Sequence, residues 1–250
     1  MAEEFDTSWF DLKNYEAFKT MSLVEWIKRL SDRHLYYGIF GSYQNGYIRD
    51  DVEEEEVRLF LSRAADCLKK GDSTILVSDV PKSSRSSVND LTMFEVWIMA
   101  QDDRLIHIQP DRCEDAFNEE IVFQPYGIDE DHQAIVNINL FATDEQIKQD
   151  FTDWLENSRR MTDIKPQKKL FSQVDFDYWI EYGVIQYLDL VLIAKIEGKK
   201  ITQNQLARLI FPNEYNIDIV ERLRKVTKPT AESLMKNKTY KSLSVQLAKK

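Results

Sequence analysis

Seven basic residues near the C-terminus are of the type that contacts phosphate groups. Residues 199–250 contain 12 Lys and Arg against 4 Asp and Glu, a net charge of +8, whereas residues 1–198 contain 21 against 39, a net charge of −18. Such an asymmetry indicates either a basic arm that binds duplex DNA or a basic tail that packs on an acidic body. The candidate nucleic-acid-binding residues are Lys199, Lys200, Arg208, Arg222, Arg224, Lys225 and Lys228.

The spacing around these residues predicts a pair of short helices. In the stretch GKKITQNQLARLIFP, residues 198–212, Thr202 is placed to cap a helix over 203–210. Ala207, small and near the middle of that helix, would let a second helix pack closely against it. In a helix-turn-helix, the second helix lays its N-terminal side chains on base edges in the major groove.

The second helix of the pair is predicted over 218–226, where it would expose Arg222, Arg224 and Lys225, and a third helix is predicted to follow Pro229. The connection FPNEYN is longer than the tight glycine turn of a usual helix-turn-helix. The same pattern therefore also fits a purely structural helical pair with apolar residues in a core.

No catalytic residue, cofactor or metal site is predicted. The chain has no phosphate-binding glycine loop, no dinucleotide-binding glycine pattern and no nucleophile elbow. The three histidines, including His34, are far apart in the sequence. We therefore predict a non-enzymatic protein. An enzyme of unfamiliar type remains an alternative, and it would need a cleft formed by Asp102, Asp103 and Asp111 with His107 or His132.

The elements that would position these residues are mostly helical, because Gly and Pro are scarce and 43% of the residues are hydrophobic. Helices are predicted over 22–40, with a Ser22–Glu25 capping box, over 51–70 and over 144–161. A further helix over 175–198 is apolar on nearly every side and should form a buried spine.

Alternation of apolar and polar residues predicts a small antiparallel sheet in the middle of the chain. Its strands would lie in STILVSDV, LIHIQ, EEIVFQPYG and AIVNINLF. The predicted fold class is therefore α+β. We predict an acidic domain over 1–165, a linker around Pro166 and a basic, all-helical subdomain over 171–250.

The sequence predicts a cytoplasmic protein that does not enter membranes. Cys67 and Cys113 have neither metal-binding spacing nor the pattern of a secreted disulfide framework. The N-terminus is acidic and has no apolar leader segment. The longest apolar stretch, Val184–Ala194, is too short to span a bilayer.

Three stretches resemble an uncharacterised family of bacterial proteins, a domain of unknown function associated with prophages and other mobile elements. They are FDLKNYEAFKTMSLVEWIKRLSDR, NLFATDEQIKQDFTDWLENSRR and YGVIQYLDLVLIAKIEGKKITQNQLARLIFPNEYNIDIVERLRKVTKPTAESL. The resemblance covers most of the chain. It implies a bacterial, cytoplasmic accessory protein and transfers no activity or catalytic residue.

Two functional hypotheses follow, and the charge asymmetry together with the predicted helical pair makes the first the preferred one. In the first, an accessory or regulatory protein contacts duplex DNA through its basic C-terminal helices. In the second, an inhibitor or adaptor uses its acidic N-terminal body to bind a basic protein partner, in the manner of a nucleic-acid mimic. The acid-rich regions 50–56 and 102–131 favour the second hypothesis. The sequence makes no prediction of oligomeric state.

Overall fold

The computed structural model describes residues 5–46, 51–71, 136, 138–162, 170–215 and 217–247. By its internal contacts the chain divides into two compact units. Residues 1–88 and 169–250 form the first unit, and residues 89–168 form the second. The regular elements of the described residues are a 3-10 helix Leu12–Thr20, α1 Leu23–Gln44, α2 Asp51–Lys69, α3 Asp144–Thr162, α4 Gln173–Glu181, α5 Val184–Ile196, α6 Gln203–Ile210, α7 Ile219–Arg222, a π-helical turn Leu223–Thr227, α8 Lys228–Lys236 and α9 Thr239–Leu247.

The predicted α+β fold class is wrong, because the described residues form helices and contain no strand. The end of the predicted strand AIVNINLF shows a physical reason. Leu140 and Phe141 lie in a turn with exposed side chains, and the Asn139 side chain accepts a 3.0 Å hydrogen bond from the Phe141 N–H. This local bond competes with pairing in a sheet and leads the chain into α3. The other predicted strands, at 73–80, 105–109 and 119–127, lie outside the described residues.

The core of the first unit is built around α5, which confirms the predicted buried spine. This helix contacts α1, α2, α4, α6 and α8. The single helix predicted over 175–198 is, however, two helices that are broken at Gly183, whose φ is +60°. A Cβ atom at this position would lie 2.1 Å from Cγ2 of Ile210, so only glycine fits between the two helices and α6.

Aromatic side chains join the N-terminal and C-terminal parts of this core. The fully buried ring of Trp26, on α1, packs on Phe18 of the 3-10 helix at 5.2 Å between ring centroids. The same ring packs on Phe176 and Trp179 of α4 at 5.0 and 5.5 Å. Residues 5–46 and 51–71 of the predicted acidic domain therefore share one core with the predicted basic subdomain.

The two helices predicted around 218–226 and after Pro229 form one continuous helical run, Ile219–Lys236. In the π-helical turn, the Lys228 N–H donates to the carbonyl of Leu223, five residues earlier. Proline lacks an N–H, and its ring clashes with the carbonyl four residues before it in a regular α-helix. The wider turn directly before Pro229 accommodates both effects, so the proline does not end the helix.

Candidate functional site

The predicted basic residues lie on three neighbouring parts of the first unit. Lys199 and Lys200 belong to the connection between α5 and α6, Arg208 lies on α6, and the other four lie between residues 222 and 228. The predicted cap of α6 is confirmed, because the Gln205 N–H donates to the Thr202 hydroxyl while the Gln205 side chain accepts from the Thr202 N–H. Ala207 is fully buried, as close packing of the helical pair requires.

Arg222 points into the protein, with only 12% of its side chain exposed. Its guanidinium forms ion pairs with Glu214 and, at 3.5 Å, with Glu181. The guanidinium carbon also lies 4.5 Å from the ring centroid of Tyr182 and 4.9 Å from that of Phe211, within the range of cation–π attraction. These contacts occupy the group that the sequence assigned to phosphate binding.

Other basic residues of the helical run also pair with glutamates. Arg224 and Lys225 both contact Glu221, at 2.8 and 2.5 Å. The arginine and lysine partners lower the pKa of the Glu221 carboxyl through hydrogen bonds, with Lys225 the larger cause. Lys228 lies 3.7 Å from Glu232. The positive charge of this run is therefore partly balanced within the run itself.

Two of the predicted residues differ from this pattern. Lys200 and Arg208 are exposed, and neither has an ion-pair partner among the described residues. Arg208 shares the outer face of α6 with Asn204, one helical turn earlier.

The connection between α6 and α7, hereafter the α6–α7 loop, consists of residues 211–218, of which the structure describes 211–215, 217 and 218. Phe211 is buried at its start, whereas the side chains of Tyr215 and Ile217 are 85% and 57% exposed. Asp218 caps α7 by accepting hydrogen bonds from the N–H groups of Val220 and Glu221. The sequence gives no signal for these exposed side chains, because their exposure depends on how the loop is anchored.

A second polar cluster lies inside the core, and the sequence alone does not predict it. Arg33 on α1 donates two hydrogen bonds to the carboxylate of Asp189 on α5, at 2.7 and 2.6 Å. The Tyr15 hydroxyl donates a third at 3.0 Å, and Arg33 also donates to the carbonyl of Arg29. The one signal in the sequence for this cluster is Asp189, a polar residue that interrupts an apolar helix. Its partner Arg33 lies 156 residues away in the sequence, so no local pattern reveals the pair.

The electrostatics of this cluster follow from its burial. Desolvation raises the pKa of Asp189, although Arg33 and Tyr15 act in the opposite direction. Desolvation acts against the charge of Arg33, but the neighbouring Asp189 outweighs it and raises the arginine pKa. Burial, followed by the charge of Asp189, raises the pKa of Tyr15 well above its usual value. Every group is committed to its neighbours, so this cluster holds the core together and offers no exposed reactive atom.

The residues considered for an unfamiliar enzyme are Asp102, Asp103, His107, Asp111 and His132, and they lie outside the described residues. Within the described parts of the chain, no group of three or more His, Cys, Asp or Glu residues is placed to hold a metal ion. The ring of His34 lies 5.1 Å from that of Tyr240. In the acid-rich segment 50–56, Glu54 pairs with Arg58, and Glu55 and Glu56 are exposed.

Comparison with known families gives one match, to DUF6387, a family of unknown function, over residues 2–244. The chain belongs to this family. The match confirms the resemblance to a domain of unknown function, while the association with prophages stays a prediction. No curated protein and no solved structure matches the chain. None of the helices that the structure describes is long and apolar enough to cross a membrane.

Proposed function

We propose that this DUF6387 protein is a non-catalytic accessory protein that acts by binding a protein partner. The observation that carries the proposal is the pairing of the basic helical run with glutamates of the run itself, of the α6–α7 loop and of α4. A phosphate contact by Arg222 would require it to leave two carboxylates and two aromatic rings.

The N-terminal end of the helical run would contact base edges in a helix-turn-helix. Its residues also favour a protein partner over DNA. Asp218 caps its start, and Glu221 follows within one turn, where Arg224 and Lys225 already pair with its carboxylate. An exposed carboxylate at the start, and cations that are engaged by Glu221, both oppose contact with a polyanion. The neighbouring exposed groups, Tyr215 and Ile217, are instead the kind that fill pockets on proteins.

The partner we propose has an apolar pocket with a basic rim. The apolar pocket would take Tyr215 and Ile217, and the basic rim would complement the carboxylates next to them in the sequence, those of Glu214 and Asp218. An inhibitor or an adaptor would bind a partner with such a surface. A bacterial or mobile-element setting, in the cytoplasm, belongs to the same proposal and rests on the resemblance of the three sequence stretches.

A second candidate function is DNA contact through α6. It is favoured by Lys200 and Arg208, which are exposed and without an ion-pair partner in the described residues. These two side chains would contact phosphates, while the paired arginines and lysines of the helical run would stay structural.

Two matched double variants separate the candidates. Tyr215→Ser with Ile217→Ser removes the exposed apolar groups, and Lys200→Ala with Arg208→Ala removes the unpaired cations. We expect a protein captured from nuclease-treated bacterial lysate by the wild type to be recovered equally by the cation variant. The loop variant should recover it at least about tenfold less, as loss of anchor residues predicts.

The same three proteins are then titrated with mixed-sequence duplex DNA, using fluorescence anisotropy over a range of salt concentrations. We expect no binding at low salt. Binding that weakens steeply with salt, and that only the cation variant loses, would contradict the proposal and establish the second candidate.

A further inference from the structure

We infer that Arg222 is a latch that fastens the α6–α7 loop to the junction between α4 and α5, and that the loop opens as a local unit when the latch is released. The inference rests on the proposed function in one respect only, namely that the loop presents Tyr215 and Ile217 to a protein partner. The latch itself is a property of the isolated protein.

The contacts of Arg222 come from two different parts of the chain. Glu181 and Tyr182 belong to the α4–α5 junction, and Phe211 and Glu214 belong to the loop. Each part thus supplies one carboxylate and one aromatic ring. The guanidinium bridges the two parts with both its charge and its flat faces, a combination that lysine cannot reproduce.

The junction side of the latch is fixed by the core. Gly183 leaves no room between the junction and Ile210, and the carbonyl of Tyr182 accepts a 2.7 Å hydrogen bond from the hydroxyl of Thr227, which is fully buried. The helix that carries Arg222 is therefore attached to the junction at a second point, in its π-helical turn. Loss of Arg222 would leave this attachment in place.

Beyond the buried Phe211 at its start, the loop has mainly local attachments. Among the described residues, the Glu214 N–H donates to the carbonyl of Phe211 within the loop, and Asp218 bonds only to the start of α7. The ion pair of Glu214 with Arg222 thus joins the middle of the loop to the rest of the unit. Tyr215, the next residue, is directed outward from this anchor. A segment with few buried contacts opens at lower free energy than the core.

Hydrogen exchange of the full-length chain, followed by mass spectrometry, tests the latch. We compare the wild type with Arg222→Ala and Arg222→Lys, and use Arg224→Ala as a matched control on the same helical run. In Arg222→Ala, we expect peptides that cover 211–218 to exchange at least about tenfold faster, which corresponds to about 1.4 kcal/mol. Peptides from α1 and α5 should be unchanged.

Arg222→Lys should give an intermediate rate, because the charge remains while the stacking is lost. Arg224→Ala should match the wild type. Unchanged exchange of the loop in Arg222→Ala, or an equal increase in α1, α5 and the loop, would overturn the inference.

If Arg222→Ala does not fold, Glu214→Gln decides the question, because it removes only the loop's charge and leaves the buried arginine between its rings. It should produce a smaller increase in exchange that is confined to the loop, because the contact of Arg222 with Phe211 remains. The absence of any increase would refute the latch. No partner is needed for these measurements. If loop exchange is unchanged but partner binding depends on Tyr215 and Ile217, the latch is refuted and the proposed function stands. If loop exchange rises but partner binding does not depend on these residues, the latch stands and the proposed function is refuted.

Discussion

Arg33 and Arg222 are two arginines with the same kinds of neighbour and different surroundings. Each pairs with a carboxylate, and each has an aromatic ring near its guanidinium, Phe18 at 5.6 Å for Arg33 and Tyr182 at 4.5 Å for Arg222. The side chain of Asp189, the partner of Arg33, is 1% exposed, whereas Glu181 and Glu214 are 65% and 31% exposed. The exposure of the acid thus distinguishes the two sites.

This difference decides what happens when each ion pair opens. Asp189 cannot reach water without unfolding of the core, because α5 is buried on nearly every side. Glu181 and Glu214 already touch solvent, so they can be rehydrated by a local movement of the loop. The first pair therefore belongs to the global folding equilibrium, and the second can take part in a smaller, local one.

The largest effect is expected from Asp189→Asn, which keeps the shape of the side chain and removes its charge. Arg33 then remains charged in the core, and removing one partner of a buried pair costs about 3–5 kcal/mol. Urea unfolding measures this loss. The matched control is Glu197→Gln near the end of the same helix, whose partly exposed pair with Lys69 contributes about 0–1 kcal/mol. Equal losses from the two variants would remove the distinction between core and surface pairs.

A second prediction concerns the junction to which Arg222 is fastened. Gly183→Ala and Gly198→Ala both place a side chain at positive φ, +60° and +64°, which costs about 1–2 kcal/mol. Only Gly183 meets a neighbour there, since a Cβ at Gly198 has nothing within 4 Å. We expect Gly183→Ala to lose about 1–3 kcal/mol more than Gly198→Ala in thermal unfolding, because its Cβ overpacks Ile210. Similar losses would show that the junction is looser than the structure indicates.

The features that the sequence predicted correctly depend on residues close to one another in the chain. The predicted capping box at Ser22 and the predicted helix cap at Thr202 each need only residues within three positions, and both are present. The buried character of α5 follows from its own composition. The predicted strand AIVNINLF failed for a related reason, since alternation over a few residues did not reveal the competing hydrogen bond of Asn139.

The candidate site was harder to predict because its decisive contacts are distant in sequence. Arg222 reads as one of several exposed cations on a helix, and its role depends on Glu181 and Tyr182, about forty residues earlier. The same holds for Arg33 and Asp189. Charge counts identify a basic region, but which of its cations face solvent is a property of tertiary packing.

The smallest effect is expected when Arg222→Ala is compared with Arg224→Ala by urea unfolding. Arg222 loses cation–π and charge-assisted contacts in a mostly buried position, but Glu181 and Glu214 return to water, so the loss of stability should be about 1–2 kcal/mol. Arg224 is 58% exposed and pairs with a neighbour on its own helix, so its replacement should cause no measurable change. A loss for Arg222→Ala as large as that for Asp189→Asn would mean that the loop cannot open separately from the core. Both arginines would then stabilise the same cooperative unit, and the latch would have no independent motion to control.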